Sequence, residues 1–172
     1  VPRVAVNVSP VEIRANFAEM IESALYRHNI APDRLELEIT ESTLTSDGIE
    51  TMHLLTRLKQ LGVGIAVDDF GVGYSSLAQL HRLPIDCLKI DRSFVQDIES
   101  SACDLAIVQA VVTMAEALGL RTVVEGVETE GQVAALKKVG CKCAQGFFLS
   151  RPLPAQEVER WMRTFIAGDG AA

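Results

Sequence analysis

Several residue types and spacings that mark common protein classes are scarce in this sequence. It has three histidines and four cysteines in 172 residues, and neither set shows the spacing of a metal site or a C-x-x-C pair. The histidines are therefore predicted to lie on surfaces or helix faces. The cysteines predict small buried thiols in a reducing compartment, with a disulfide or metal role as the alternative.

Positive charge is scarce as well. The chain has 16 lysines and arginines against 23 aspartates and glutamates, a formal net charge of −7. Because binding to nucleic-acid polymers depends mainly on lysine and arginine contacts with phosphates, this balance argues against a DNA- or RNA-binding protein. A small phosphorylated substrate remains compatible with it, provided that metal ions reverse the local charge.

Long apolar runs and the pattern of a signal peptide are also missing. The longest uncharged stretch, 105–115, is too short to cross a bilayer, and the opening VPRVAVNVSP has neither a basic segment nor an apolar core of the right length. We expect a cytoplasmic protein, or the cytoplasmic part of a membrane-anchored one. The chain also opens without a methionine, so we expect it to be a piece of a longer protein.

The sequence does contain enough apolar material for one folded domain. Hydrophobic residues make up 48% of the chain and charged residues 23%. We expect one domain over 1–166 and a disordered tail over 167–172. Predicted strands cover 4–9, 35–40, 63–70, 87–91, 121–128 and 141–147. Predicted helices begin after Ser9, cover 47–61, 75–82 and 102–118, run from Thr129 to Gly140, and begin again near Ala155.

Three predicted helix-to-strand junctions share one glycine position, at Gly62, Gly119 and Gly140. A glycine there adopts the left-handed conformation that ends a helix and leads into the next strand. The chain is therefore an α/β domain of about six βα units. Such a run fits either an open doubly wound sheet or a (β/α) barrel.

The two faces of the predicted strands differ in a way that favours the barrel. On 35–40, Glu36, Glu38 and Thr40 share one face, and large aliphatic residues occupy the other. An open sheet covered on both sides would be apolar on both faces. A TIM-type barrel explains the asymmetry, with helices outside and a polar site at the carboxyl ends of the strands. Because a full barrel needs about 250 residues, we expect roughly two N-terminal strands to be missing.

Polar residues recur at the carboxyl ends of successive predicted strands. They are Asn7, Glu38, Asp68, Asp69, Lys89, Asp91, Glu125 and Gln145. Several carboxylates at one rim need a counter-charge, and Mg²⁺ and Mn²⁺ prefer such oxygen ligands. The adjacent Asp68 and Asp69 could bridge two ions about 3.5–4 Å apart. Lys89 would then hold the attacking water or stabilise charge on a phosphate.

Each of these residues also has an ordinary structural interpretation. A single acid at a strand end is usually a solvated rim residue, Lys89 could pair with Asp91, and Gln145 could belong to a turn. The D-F-G triplet at 69–71 indicates no kinase, because the other kinase motifs are absent. The glycines at 71 and 73 are a weak phosphate-loop signal. The shared parity of the acids favours a functional site, since unrelated surface acids would not keep to one face.

Five segments carry a resemblance to a known family. They are LEITES (37–42), AVDDFGVGYSSL (66–77), LPIDCLKID (83–91), VVEGVET (123–129) and QGFFLSRP (145–152). Together they resemble the EAL domain of bacterial cyclic di-GMP phosphodiesterases, in the right order and over nearly the whole chain. The resemblance implies a TIM-type barrel that hydrolyses cyclic di-GMP to linear pGpG with two Mg²⁺ or Mn²⁺ ions.

The resemblance also implies roles for individual residues. One metal would take Asn7, Glu38 and Asp68, and a second would take Asp68, Asp69 and Glu125. Lys89 would contact the catalytic water, with Glu125 as the alternative general base. Supporting positions for substrate and loop are Glu41, Gln145, Asp91, Gly71, Gly73 and Ser75. Glu41 would steady the loop 70–76, which we expect to be a mobile, dimer-linked lid.

One departure from the family pattern bears on activity. The Glu-Ala-Leu segment that in the family lies on the strand before NVS, and whose glutamate is a metal ligand there, is absent from this chain; the Glu-Ala-Leu triplet at 116–118 falls within a predicted helix instead. We interpret the absence as truncation and expect the fragment alone to bind metal poorly. The alternatives are a non-catalytic EAL module that binds cyclic di-GMP or a protein partner, and a metal-dependent barrel enzyme with another substrate.

The resemblance also implies partners for the parent protein. These are cyclic di-GMP and an attached sensory, receiver or GGDEF domain. A homodimer is left open, because the apolar helix predicted over 102–118 is compatible with burial against either the barrel or another chain.

Overall fold

The computed structural model describes residues 3–13, 16–46, 48–73 and 80–167. The strands are β1 (Val4–Val8), β2 (Leu35–Thr40), β3 (Gly64–Phe70), β4 (Cys87–Ile90) and β5 (Arg121–Val124). The α-helices are α1 (Phe17–Arg27), α2 (Glu41–Ser46), α3 (Gly48–Leu61), α4 (Ala102–Ala117), α5 (Glu130–Lys138) and α6 (Ala155–Ala167). The alternation of strands and helices confirms the predicted α/β class.

The five strands form one parallel sheet in the order β1-β2-β3-β4-β5. Each strand therefore pairs with its predecessor in sequence, as expected for successive βα units. Glu36 on β2 accepts a hydrogen bond from Arg121 on β5, although β3 and β4 lie between them. The sheet consequently curves like a barrel wall, with these two side chains on its concave face.

The convex face of the sheet carries the core, as the alternation predicted. Buried strand residues such as Leu37, Ile65 and Leu88 pack with Leu55 and Leu58 of α3. A second buried cluster joins β4 and β5 to α4 and α5; it includes Ile90, Val124, Val108, Val112 and Leu136. Fully burying each large aliphatic side chain contributes about 1.5–3 kcal/mol. These contacts fix the helices on the outside and leave the concave face for polar residues.

The three junction glycines have the predicted backbone conformation. Their φ angles are +92° at Gly62, +72° at Gly119 and +81° at Gly140. Residues with a Cβ atom rarely adopt this region, so glycine lets a helix end and the next strand begin within a short loop.

Several predicted elements differ from the structure. β5 ends at Val124, although the prediction extends it to 128, and the helix α2 is not among the predicted helices. The segment 141–147 is not a strand; it makes one isolated parallel bridge, between Val124 and Ala144. No described strand supports its other side, so the ladder does not continue. The capping box of Ser9 and Glu12 forms, but it closes only a short 3-10 helix, Pro10–Glu12, and α1 begins at Phe17.

The cysteines are free, and most of them are more exposed than predicted. Cys87 is buried on the concave side of β4, whereas Cys103 and Cys143 are exposed and Cys141 is intermediate. Most of the helix predicted over 75–82, the site residue Ser75 and the tail 168–172 lie outside the described residues. Among the residues that the structure describes, no helix has the length and apolar character needed to cross a membrane.

Candidate metal and active site

Lys89 lies at the centre of a cluster of carboxylates on the concave face. Its Nζ is 2.6 Å from Glu38 Oε2 of β2, 3.0 Å from Asp68 Oδ1 of β3 and 2.8 Å from Glu125 Oε1, just after β5. The lysine side chain is only 5% exposed. Charged groups from four neighbouring strands thus meet at one point, because each strand has an inward-facing residue near its carboxyl end at a similar level of the sheet.

The protonation of Lys89 follows from these contacts. Burial alone would lower the pKa of Lys89, but its close contacts with the carboxylates of Glu125, Glu38 and Asp68 outweigh burial and raise it. Lys89 is therefore an ammonium in this arrangement. It donates hydrogen bonds and supplies positive charge.

Two of the surrounding carboxyl groups are also perturbed. Burial raises the pKa of Glu125, and the charges of Asp68 and Glu38 add to that effect while Lys89 opposes it. Burial likewise raises the pKa of Asp69, with contributions from Asp68 and Asp91. The cluster therefore holds more negative charge than its lysine compensates, and an added cation would stabilise it.

An irregularity in β3 brings Asp68 and Asp69 to the same site. Neighbouring side chains on a regular strand point to opposite faces. The pairing with β4 shifts between Val67 and Phe70, and Asp69 has a φ of +54°. One carboxylate oxygen from each of Asp68, Asp69 and Glu125 consequently lies within 4.8 Å of the others. Bulges of this kind commonly redirect a side chain next to an active site.

The side chains present fit a hard divalent cation. Asp68 Oδ1 is buried and, although it lies 3.0 Å from Lys89 Nζ, it has no hydrogen bond of acceptable geometry among the described residues. A buried acceptor without a partner costs about 1–3 kcal/mol, so this oxygen is suited to a ligand. The donor set consists of carboxylate oxygens, which Mg²⁺, Mn²⁺ and Ca²⁺ prefer. Asn7 lies on β1 in register with Glu38, at the exposed margin of the same cluster.

Glu41 supports the loop that follows Asp69. As the first residue of α2, it accepts hydrogen bonds at Oε2 from the backbone N–H of Gly71, at 3.0 Å, and of Gly73, at 3.3 Å. A Cβ atom at Gly73 would lie 2.8 Å from the Glu41 carboxyl group, so a side chain at this position would displace that carboxyl group. Glu41 therefore ties the end of β2 to the chain that leaves the paired aspartates.

Asp91 and Gln145 lie at the margins of the cluster. Asp91 accepts a 3.0 Å hydrogen bond from the Ser93 backbone and caps the short 3-10 helix Arg92–Phe94. Burial raises its pKa, but hydrogen bonds from Ser93 and Arg92 outweigh burial and lower it. Among the described residues Asp91 forms no ion pair with Lys89, unlike the structural alternative raised by the sequence. The Gln145 side chain is exposed, and its backbone pairs with Val124 and Val127.

Comparison with known proteins identifies the family. A sequence model of the EAL domain matches residues 1–152, so the chain belongs to the EAL domain family. This confirms the predicted family and, through its solved members, the predicted fold.

Individual relatives are also similar over most of the chain. The cyclic di-GMP phosphodiesterase NbdA of Pseudomonas aeruginosa is 46% identical over 164 residues, which cover 95% of this chain and 21% of NbdA. The structure of the phosphodiesterase MucR of the same bacterium, in complex with cyclic di-GMP, has a TM-score of 0.87 and 44% identity, covering 91% of this chain and 64% of that one. The manganese and cyclic di-GMP complex of Klebsiella pneumoniae BlrP1 has a TM-score of 0.83 and 35% identity, covering 87% and 39%.

The chain spans about a fifth of the length of the first curated relatives that it matches. Activity, substrate and partners of the whole protein are therefore taken up below as proposals.

Proposed function

We propose that the intact domain is a metal-dependent phosphodiesterase that hydrolyses cyclic di-GMP to linear pGpG. The observation that carries this proposal is the Lys89 cluster, in which one buried ammonium faces three carboxylates and Asp68 Oδ1 lacks a well-directed partner. An acidic site of this kind meets a twice-charged cyclic dinucleotide only with added cations. The names of NbdA and of the MucR complex support the choice of substrate.

The metal would be held by two overlapping sets of side chains. Asn7, Glu38 and Asp68 would form one set, and Asp68, Asp69 and Glu125 the other. Bound Mg²⁺ or Mn²⁺ would supply charge neutralisation and a water of lowered pKa. The BlrP1 complex with manganese supports a divalent ion.

The side chains of Lys89 and Glu125 would carry out the other steps of the hydrolysis. In the hydrolysis, a bond forms between the water oxygen and phosphorus, the bond from phosphorus to the 3′ oxygen breaks, and the 3′ oxygen leaves with a proton. Lys89 would orient the water or neutralise charge on the phosphate through its N–H groups. If Lys89 does not contact the water, Glu125 would accept the proton of the water as the general base.

The proposal extends to the context of the domain. Relatives such as the oxygen sensor protein DosP of Escherichia coli are several times longer than this chain, so we propose that the domain is attached to a sensory, receiver or GGDEF domain. A cytoplasmic location, a homodimer and the mobility of the loop 70–76 stay predictions.

The test is hydrolysis of cyclic di-GMP by the parent protein, followed by chromatography of the product. We expect pGpG with Mg²⁺ or Mn²⁺ and no product in EDTA. The Asp33→Asn variant, which alters an exposed acid outside the cluster, is the matched control and should behave as wild type. Hydrolysis by metal-free protein would overturn the mechanism. Tight binding of cyclic di-GMP without product would instead establish the non-catalytic alternative.

A further inference from the structure

Gln132 connects the two chain segments that leave β4 and β5. Its Oε1 accepts hydrogen bonds from the backbone N–H of Glu128, at 2.7 Å, and of Thr129, at 3.1 Å. Its Nε2 donates to the carbonyl oxygens of Val95, at 3.1 Å, and Gln96, at 3.5 Å. The sequence predicted only the capping box of Thr129 and Gln132, which accounts for one of these four bonds.

The amide of Gln132 has no spare hydrogen-bonding capacity. A glutamine side chain offers two N–H donors and one oxygen that accepts two hydrogen bonds, and all four are used here. The residue is only 6% exposed, so water does not replace a lost partner easily. A buried and fully bonded amide fixes both segments that it contacts.

These two segments carry members of the Lys89 cluster. β4 pairs with β5 only as far as Ile90 and Val124, and one further bond joins the Glu125 N–H to the Ile90 carbonyl at 3.0 Å. Beyond that point the segments touch at Gly126, where a Cβ atom would lie 2.4 Å from Arg92 Cβ. Gln132 bridges them where the strand ladder has ended.

We propose that Gln132 is a positioning residue that holds Glu125 in place against Lys89. The inference deepens the proposed function and rests on it, because the position of Glu125 matters for activity only if Glu125 is a metal ligand. Residues that orient metal ligands from behind typically change metal affinity or activity about 10–100-fold when replaced.

Two substitutions separate the two halves of the bridge. Gln132→Met keeps the length of the side chain and removes all four hydrogen bonds. Gln132→Glu keeps the oxygen that accepts from Glu128 and Thr129, but it places a second acceptor against the carbonyls of Val95 and Gln96. Both variants lose the bridge, whereas only Gln132→Met loses the bonds to the turn.

The experiment measures kcat, KM and Mn²⁺ affinity in the parent protein, together with amide hydrogen exchange of the peptide 125–131. We expect kcat about 10–100-fold lower in both variants, KM changed less than about threefold, and Mn²⁺ bound about 10–100-fold more weakly. Exchange should accelerate strongly in Gln132→Met and less in Gln132→Glu.

Two controls exclude a general loss of stability. Ile65→Val removes one buried methyl group from β3 and lowers stability without touching the bridge, and Gln109→Met changes an exposed glutamine of α4. Both should keep wild-type kcat and Mn²⁺ affinity.

The outcomes distinguish this inference from the proposed function. Wild-type kcat and Mn²⁺ affinity in the Gln132 variants would overturn the positioning role while leaving the proposed function standing. A wild-type protein that binds Mn²⁺ but does not hydrolyse cyclic di-GMP would refute the function, and weaker Mn²⁺ binding in the variants would still support the positioning role. A wild-type protein that neither hydrolyses nor binds Mn²⁺ would overturn both.

Discussion

The two ends of the sheet carry charged clusters on the same concave face, but their charges balance differently. At the carboxyl ends of the strands, here called the carboxyl end of the sheet, one lysine faces the three carboxylates of Glu38, Asp68 and Glu125. At the amino end, the single carboxylate of Glu36 receives hydrogen bonds from two arginines, Arg3 and Arg121. The carboxyl end is therefore short of positive charge, and the amino end is not.

Solvent exposure sharpens the contrast. The arginine side chains of the amino end are 40% and 46% exposed, so water stabilises them even without Glu36. Lys89 is 5% exposed, and its acidic partners are mostly buried too. Half-exposed ion pairs contribute little to stability, whereas a buried surplus of one sign destabilises the fold unless a ligand compensates it. This difference supports the proposal that the carboxyl end binds a ligand and that the amino end is structural.

Replacing Asp68 tests this difference most strongly. Asp68→Asn should lower kcat more than about a thousandfold, because an amide does not serve two cations as a carboxylate does. The free energy of unfolding without metal should stay unchanged or rise, since the change removes one of several like charges. Steady-state kinetics and urea unfolding of the parent protein measure both effects. Retention of more than about a tenth of wild-type kcat, a barrier increase below about 1.4 kcal/mol, would remove Asp68 from the metal site.

The next largest effect is expected at Lys89. Lys89→Ala should lower kcat about a hundred- to a thousandfold, as for other groups that contact the transition state, with much smaller changes in the binding of metal and cyclic di-GMP. Single-turnover kinetics measure the rate, and calorimetry with Ca²⁺ in place of Mg²⁺ measures binding while suppressing turnover.

Two other results at Lys89 would change its role. Normal turnover of Lys89→Ala would leave the lysine a structural partner of the surrounding carboxylates. Binding that falls together with the rate would make Lys89 a clamp for the substrate phosphate, and the handling of water would pass to Glu125.

Local patterns in the sequence predict which face of each strand is polar but not how the cluster is connected. Alternation along β2 correctly separates Glu36 and Glu38 from Leu37, because a period of two is a property of the strand itself. The bulge at Asp69 depends on pairing with β4, so the sequence alone does not show that Asp69 joins Asp68. Local proximity suggested Asp91 as the partner of Lys89, whereas the curvature of the whole sheet supplies its partners from β2, β3 and the end of β5.

The same limit explains the errors at other positions. The alternation in 141–147 predicts a strand, but only one neighbouring strand is described beside it, and a single bridge results. The local pattern predicts Gln132 only as a capping residue. Its contacts with Val95 and Gln96 are not predicted, because they join residues 37 and 36 positions apart in the chain.

Mn²⁺ should stabilise the folded protein through the carboxyl end alone. At a free concentration about a hundred times the dissociation constant, a ligand that binds only the native state adds about 2.7 kcal/mol to the free energy of unfolding. Thermal or urea unfolding of the parent protein with Mn²⁺ and with EDTA measures this gain. Asp68→Asn should lose most of it, and Glu36→Gln should keep it. An equal gain in Asp68→Asn would place the metal elsewhere.

The smallest effect is expected at the amino end of the sheet, where a substitution should change stability and leave kcat nearly unchanged. Glu36→Gln removes the charge shared by Arg3 and Arg121, and should lower the free energy of unfolding by about 1 kcal/mol, because both arginines stay partly hydrated. The value of kcat should stay within about twofold of wild type, since Glu36 lies two residues before Glu38 on the same face and, in the part of the chain that the structure describes, receives its hydrogen bonds from Arg3 and Arg121. The loss should also shrink at high salt, because salt screens exposed pairs. A large fall in kcat with unchanged stability would mean that the two ends are coupled through β2, and the division between a structural end and a binding end would fail.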